Sequence, residues 1–420
     1  MFAKKSAAIV AAGLALASLT AHADVTIRLF AGGSGQRPDL VRKALDNYEK
    51  ANPGVKVVTE TGGATSEQQR QYLSTLLNAK DASLDVFMID IVNPAQYLTA
   101  GWIAPLDPYL GPASSVMKAY LPVYAKADVV DGKIAALPAF ADGMFVYYRK
   151  DLLDKYGAPQ PKTWADLATA AKTIMAKEHN PALQGLSIQG APAEGAVCTF
   201  LLPYWSQRKE LTDVSGRLTL DKNAAVAGMN MWTGLMDQGV IKRNVAEVKT
   251  ADTVNEFKAG HAIYAVNWGF AWNHFETDTD STVKGKVGVM PLPAMAGGDS
   301  TTCVGGWQWA VSAFSTHKPE AAKLIRYLSS PEVAKMLAVK GSLLPVFPGT
   351  YQDPDVLAQN PWFKSAGDIL TKTGRARPVT PRYSEVSDTI RTTTSAMLGR
   401  SVPVTDGVDQ IEGRLRRILR

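Results

Sequence analysis

Six of the nine tryptophans lie between residues 205 and 309. Trp268 and Trp272 stand four apart, Trp307 and Trp309 two apart. Trp205, Trp232 and Trp309 sit in apolar surroundings and read as core. Trp268 and Trp307 differ, because turn-forming residues flank them in Asn267-Trp268-Gly269 and Gly305-Gly306-Trp307. Glycine there lets backbone approach a ligand closely, so an indole face lies beside accessible N–H groups. That pairing suits a polar ligand with apolar patches. A pyranose ring is one, since its C–H faces stack on indole and its hydroxyls need hydrogen bonds.

Those hydroxyls are best met by charged partners, and planar Arg can address two oxygens at once. Asp90 ends the apolar run DVFMID (85–90), at the carboxyl end of an expected strand, where ligands of open α/β sheets collect. Asp142 follows LPAFA at the start of a second unit. Enzymatic chemistry has fewer signals. There is no G-x-S-x-G elbow, no P-loop and no G-x-G-x-x-G. His179, His261, His274 and His317 stand at no metal-ligand spacing, and His274 reads as a hydrogen-bonded structural residue. No cofactor or metal is expected. A glycosidase needs only two carboxylates, and Asp90, Asp142 and Glu194 could supply them, so a secreted glycoside hydrolase is the alternative reading.

These groups need a scaffold. VTIRLF (25–30), VKVV (55–58) and DVFMID alternate with helical patterns carrying Leu40, Val41, Ala44, Leu45 and Tyr48, then Tyr72, Leu73, Leu76 and Leu77. Thr65 or Ser66 can cap the second helix. This alternation predicts a mostly parallel sheet covered on both faces. Further helices are expected near 164–177, 196–205, 224–238, 384–398 and 405–419. SPEVAKMLAVKG adds one capped by Ser330, with Pro331 in its first turn and Gly341 at its end. A chain of 420 residues is too long for one core, and the lack of a single Pro/Gly/Ser-rich boundary points to two α/β lobes joined by several crossings.

Two lysines, an apolar run and Ala21-His22-Ala23 read as a secretory signal peptide over residues 1–23. The product is expected to be soluble and periplasmic. The net charge of +6 is mild, and the one basic cluster, GRLRRILR, reads as the solvated face of a last helix, not a nucleic-acid or membrane site. Cys198 and Cys303 could form one disulfide. Both border the expected cleft, where a bridge between moving lobes would lock them, so buried free thiols are favoured.

Seven stretches together resemble the periplasmic solute-binding proteins of ABC sugar importers, trehalose/maltose-binding type. They are ANPGVKV (51–57), DVFMIDIVNPAQYLTAGWIAPLD (85–107), LPAFADGMFVYYRKDLLDKYG (137–157), NWGFAW (267–272), KGKVGVMPLP (284–293), GGWQWAVS (305–312) and RPVTPRYSEVS (377–387). The resemblance implies a two-lobed α/β fold, type II and maltose-binding-protein-like, closing an interlobe cleft by hinge motion. It maps one lobe to about 24–138 plus 294–346 and the other to about 140–290 plus 348–420. The family's sugar contacts fall on Asp90, Asp142, Trp268, Gly306, Trp307 and Arg377. Thr65 and the turn at Gly33–Ser34 border the site. Phe140 stands where a tyrosine is common, and Arg37 where close relatives carry an acid. The implied function is capture of an α-glucoside disaccharide and its delivery to transmembrane permease subunits, by a non-enzymatic monomer. Trp268 is the expected ring platform, Trp307 faces it, and Phe270, Trp272 and Phe275 are expected to back it.

Overall fold

The computed structural model describes residues 25–420; the expected signal peptide lies outside these residues. Eleven strands are present among the described residues: β1 (Val25–Phe30), β2 (Val55–Glu60), β3 (Val86–Asp90), β4 (Val129–Val130), β5 (Lys133–Ile134), β6 (Leu137–Arg149), β7 (Gln184–Ser187), β8 (Ala262–Trp268), β9 (Val287–Met290), β10 (Thr302–Val311) and β11 (Gly374–Arg375). Nine of them share one sheet with the path β2-β1-β3-β10-β6-β8-β7, where β9 adds to β6 and β11 to β10.

The first half follows the sequence pattern closely. β1 pairs in parallel with β2 and β3. Their connecting helices, Pro38–Ala51 and Ser66–Asn78, pack Leu40, Val41, Ala44, Leu45 and Tyr48, then Leu73 and Leu77, against the sheet. Thr65 caps the second helix by accepting from the Gln68 N–H. The apolar faces recur every three to four residues, so each helix buries one stripe.

The centre of the sheet departs from a mostly parallel order. β10 runs antiparallel to both β3 and β6, and β6 antiparallel to β8 and β9. The reason is topological, since a strand crossing between halves must return. β6 makes that passage within one strand. Its residues 137–143 pair with β10, and its residues 144–149 pair with β8 and β9. β10 likewise reaches from β11 at Thr302 to β3 at Val311. A third crossing segment touches this hinge where Leu344 bridges to Ala141.

Three buried clusters are present among the described residues; the largest runs from the first half across the hinge to Phe257, Ala262 and Phe275, and a small one gathers Phe30, Leu73 and Phe87. The first, largest core gathers Ile27, Leu29, Val86, Leu324 and Leu337; the second gathers Leu167, Leu201, Trp232, Ile390 and Ile411. Cys198 and Cys303 are disulfide-bonded, which corrects the expectation of free thiols. Both belong to the second core, because the start of β10 lies on that side of the hinge. The bridge therefore ties elements of one lobe and locks nothing. The helix Pro331–Gly341 has its Ser330 cap, but Ser342, at φ 52°, rather than Gly341, takes the left-handed position after it.

Candidate functional site

The two crossing strands carry most of the site. In β10, Gly306 has φ +125°, and a Cβ there would lie 2.8 Å from the Phe140 carbonyl oxygen. Only glycine fits that turn of the backbone. A Cβ on Gly305 would lie 2.5 Å from the Trp268 ring, so this residue lets the indole lie flush on β10. Beside them the register shifts: Trp307 pairs with Phe140 but Gln308 with Pro138, leaving Ala139 as an extra residue. Such a bulge re-aims side chains next to it.

A hydroxyl from outside the sheet pins this arrangement. Tyr124, fully buried, accepts from the Asp142 N–H at 3.0 Å and donates to the Gly305 carbonyl at 2.9 Å. The sequence reading did not single it out, since one aromatic in an amphipathic helix looks like core.

Charged groups then converge. Arg377 donates through Nη2 to Asp90 Oδ1 at 3.0 Å and through Nη1 to Glu194 Oε1 at 2.7 Å. Asp90 Oδ2 also accepts from the Ser66 hydroxyl at 3.0 Å. Glu194 accepts from Tyr383 and, at 2.7 Å, from Ser387. The Arg377 guanidinium lies 5.9 Å from the centre of the Trp268 ring, within cation–π range. On the other flank Asp142 Oδ1 accepts from the N–H groups of Gly269 (2.7 Å) and Gly143 (2.8 Å).

Burial and charge set the protonation. Burial pushes Asp142 up to about 7, against the pull of its two backbone donors. Burial raises Asp90 as well, and Arg377 opposes that rise. For Glu194 burial pushes upward but is outweighed by Arg377 and Arg70, so it stays low and ionised. Arg377 itself is held in the charged form by these acids despite its burial.

Asp90, Asp142, Phe140, Trp268, Gly306, Trp307 and Arg377 thus fall in one neighbourhood. Trp268 and Trp307 keep part of their surface exposed, unlike the buried Trp205, Trp232 and Trp309. Thr65 stands one residue from Ser66, the hydroxyl on Asp90. Ser34 is exposed in a short turn and makes no hydrogen bond to this cluster. His274 bonds to Asp278 at 3.0 Å, a structural contact. Phe270, Trp272 and Phe275 pack against the first core, whereas Trp268 packs against the second. This corrects the expectation that they back Trp268. Along β8 the two-residue period puts Tyr264, Val266 and Trp268 on one face. The chain then turns at Gly269 into the helix Ala271–Thr277, on the other face. What fixes Trp268 instead is Tyr147, whose hydroxyl donates to the Trp268 carbonyl at 2.8 Å.

Two strands running through both halves, with indole rings, carboxylates and a guanidinium gathered where the halves meet, define a ligand-capturing protein that closes about a hinge. The chain belongs to the bacterial extracellular solute-binding proteins, whose family model matches residues 33–335. A Deinococcus radiodurans protein named "Probable ABC transporter-binding protein" is 34% identical to it, covering 99% of each chain. A maltose-bound MalE3 protein of T. maritima superimposes with a TM-score of 0.87 at 31% identity, covering 94% of this chain and 100% of its own. A mannitol-binding protein of Pseudomonas aeruginosa is 24% identical over 67% of this chain and 64% of its own. These relatives are binding proteins, and this chain is a binding protein, not an enzyme.

Proposed function

We propose that this protein is the periplasmic substrate-binding component of an ABC importer. In this reading it captures an α-glucoside disaccharide (trehalose, maltose or sucrose) between its lobes and delivers it, as a monomer, to transmembrane permease subunits. One observation carries it: partly exposed indole rings and buried charged groups from both sides of the hinge come together where the halves meet. The maltose named for the MalE3 relative, at 31% identity, supports the choice of sugar class. The lobes would comprise about 24–138 plus 294–346 and about 140–290 plus 348–420, with the start of β10 around Cys303 packed in the core of the second.

Asp90 and Asp142 would accept hydrogen bonds from sugar hydroxyls, and Arg377 would donate to them. The Gly306 N–H would face the ligand, with Phe140, Thr65 and Ser34 bordering it. Trp268 would lie under one ring and Trp307 would face it, contributing apolar burial of about 25 cal/mol per Å². Closure would exclude water and so strengthen each polar contact. A thermal-shift screen against mono-, di- and trisaccharides and polyols, followed by calorimetry on the hits, tests this. An α-glucoside disaccharide should raise the melting temperature most. A screen in which mannitol alone shifts it overturns the disaccharide assignment.

A further inference from the structure

Tyr124 lies on the short helix Pro122–Ala127 in the first half, yet its hydroxyl reaches the junction of the crossing segments. It accepts from the Asp142 N–H of β6 at 3.0 Å. Two carbonyls stand within donating distance of the same hydroxyl, Gly305 on β10 at 2.9 Å and Asp142 on β6 at 3.1 Å. One residue earlier, the Ala141 N–H donates to the Leu344 carbonyl at 2.8 Å, which brings in the third segment. The phenol ring itself needs Gly306 bare, since a Cβ there would lie 2.8 Å from Tyr124 Cε1.

On its own side the tyrosine is tied down. The Leu121 N–H at the head of the helix donates to the Val346 carbonyl at 2.8 Å, and the Asp128 N–H beyond its end donates to the Tyr124 carbonyl at 3.0 Å. Asp142 and Gly305 are register partners, so one side chain from the first half holds β6 and β10 together where both leave it. A hydroxyl carries one proton and two lone pairs. It serves one of the two carbonyls at a time, and rotation of the O–H changes which. Burial pushes Tyr124 well above the ordinary tyrosine range, so that proton stays on the oxygen. Buried backbone groups need partners in every populated form of a moving protein, because each one left bare costs stability. A direct bond between strands has one geometry; a rotating hydroxyl has two.

We propose that Tyr124 is a positioning residue for ligand capture, its hydroxyl the swivel on which β6 and β10 turn as the halves close. Donation to Gly305 belongs to the form seen here, in which Arg377 of the second half bonds Asp90 of the first. Donation to the Asp142 carbonyl belongs to the open form. Because the joint stays paired throughout, Asp142 and Trp268 travel a fixed path toward Asp90 and Trp307.

Spin labels on Lys43→Cys and Asn230→Cys, exposed on the helices Pro38–Ala51 and Lys222–Asp237, read the distance between the halves. The native cysteines are already bonded to each other. In Tyr124→Phe the sugar-free distance distribution should broaden, and affinity for the sugar found by the screen should fall about tenfold. Tyr120→Phe is the control, since it deletes another buried hydroxyl bond, to the Ser329 carbonyl at 3.2 Å, away from the crossings. Both variants should lose a few degrees of melting temperature, but Tyr120→Phe should keep the wild-type distances and affinity. In the wild type, hydrogen exchange should find the Asp142 amide protected with and without sugar. Rapid exchange at that amide in the sugar-free protein, or wild-type distances in Tyr124→Phe, overturns the swivel. Only the affinity measurement rests on the sugar-binding reading. A wild type that binds no sugar sinks that reading alone, because the sugar-free distances and the amide exchange still decide this one.

Discussion

Removing the Arg377 charge gives the most direct test of how the site is held. Its side chain is 1% exposed and lies between Asp90 at 3.0 Å and Glu194 at 2.7 Å. In Arg377→Met two buried carboxylates lose their shared counter-charge and face each other. Breaking a buried pair by deleting one partner costs about 3–5 kcal/mol. The protein has one way to relieve this. Asp90 is on β3 and Glu194 on the helix Glu194–Ser206, on opposite sides of the hinge, so opening the gap hydrates both acids. The penalty then falls on the closed form, and a ligand that needs closure must overcome it. Each 1.4 kcal/mol is tenfold in affinity, so sugar binding should weaken by about 100-fold or more. The sugar-free melting temperature should fall by only a few degrees. Adding Asp90→Asn to Arg377→Met removes one of the two unpaired charges and should restore part of the lost stability, a coupling read from the double-mutant cycle. Scanning calorimetry and titration calorimetry on the wild type, both single variants and the double variant supply the numbers. Wild-type affinity in Arg377→Met, together with strictly additive melting temperatures, would refute the reasoning.

Other perturbations follow from the same geometry. Trp268→Ala should weaken sugar binding at least tenfold by titration calorimetry; unchanged affinity would make the ring a core residue only. Burial pushes Asp142 up to about 7, so the folded chain keeps a proton that an unfolded carboxyl releases near pH 4. Stability should therefore fall as pH rises from about 4 to about 7 and flatten above. Asp142→Asn should abolish a slope worth up to about 4 kcal/mol, measured by urea unfolding at pH 4.5 and 7.5. Replacing Cys198 and Cys303 by serine opens a crosslink spanning 105 residues and should cost about 2–5 kcal/mol. Because the bridge stays within one lobe, the sugar Kd should move less than threefold; a larger change would mean that it governs the hinge.

Where a local pattern sufficed, the fold was legible. β1 begins and ends where the VTIRLF run does, and Thr65 and Ser330 cap the helices that their neighbours announce. Asp90 closes β3 at the sheet's carboxyl edge, as the apolar run implied. The site residues that emerged were those with an unusual context, such as Gly306-Trp307 in a strand otherwise rich in apolar residues. What stayed hidden is non-local. Strand direction at β10 and β6 depends on the crossing topology, which periodicity does not encode. The Cys198–Cys303 bond depended on which side of the hinge the start of β10 belongs to. Arg377 and Glu194 stand 183 residues apart, and only three dimensions show that they pair.

That contrast bears on how the protein switches. The halves already hold each other through Asp90 with Arg377, Arg70 facing Glu194, and Ser384 donating to Gln96 at 2.9 Å. A ligand shifts the open–closed balance only by the difference in its affinity for the two forms. Here it enters a gap whose main charges are already paired, so its hydroxyls must share or replace existing bonds instead of meeting bare ions. The net gain then comes from what closure without ligand leaves uncovered, the partly exposed indole surface at Trp268 and Trp307. Ring stacking covers it while hydroxyls exchange for the existing bonds, so a ligand with both an apolar face and hydrogen-bonding edges shifts the balance furthest.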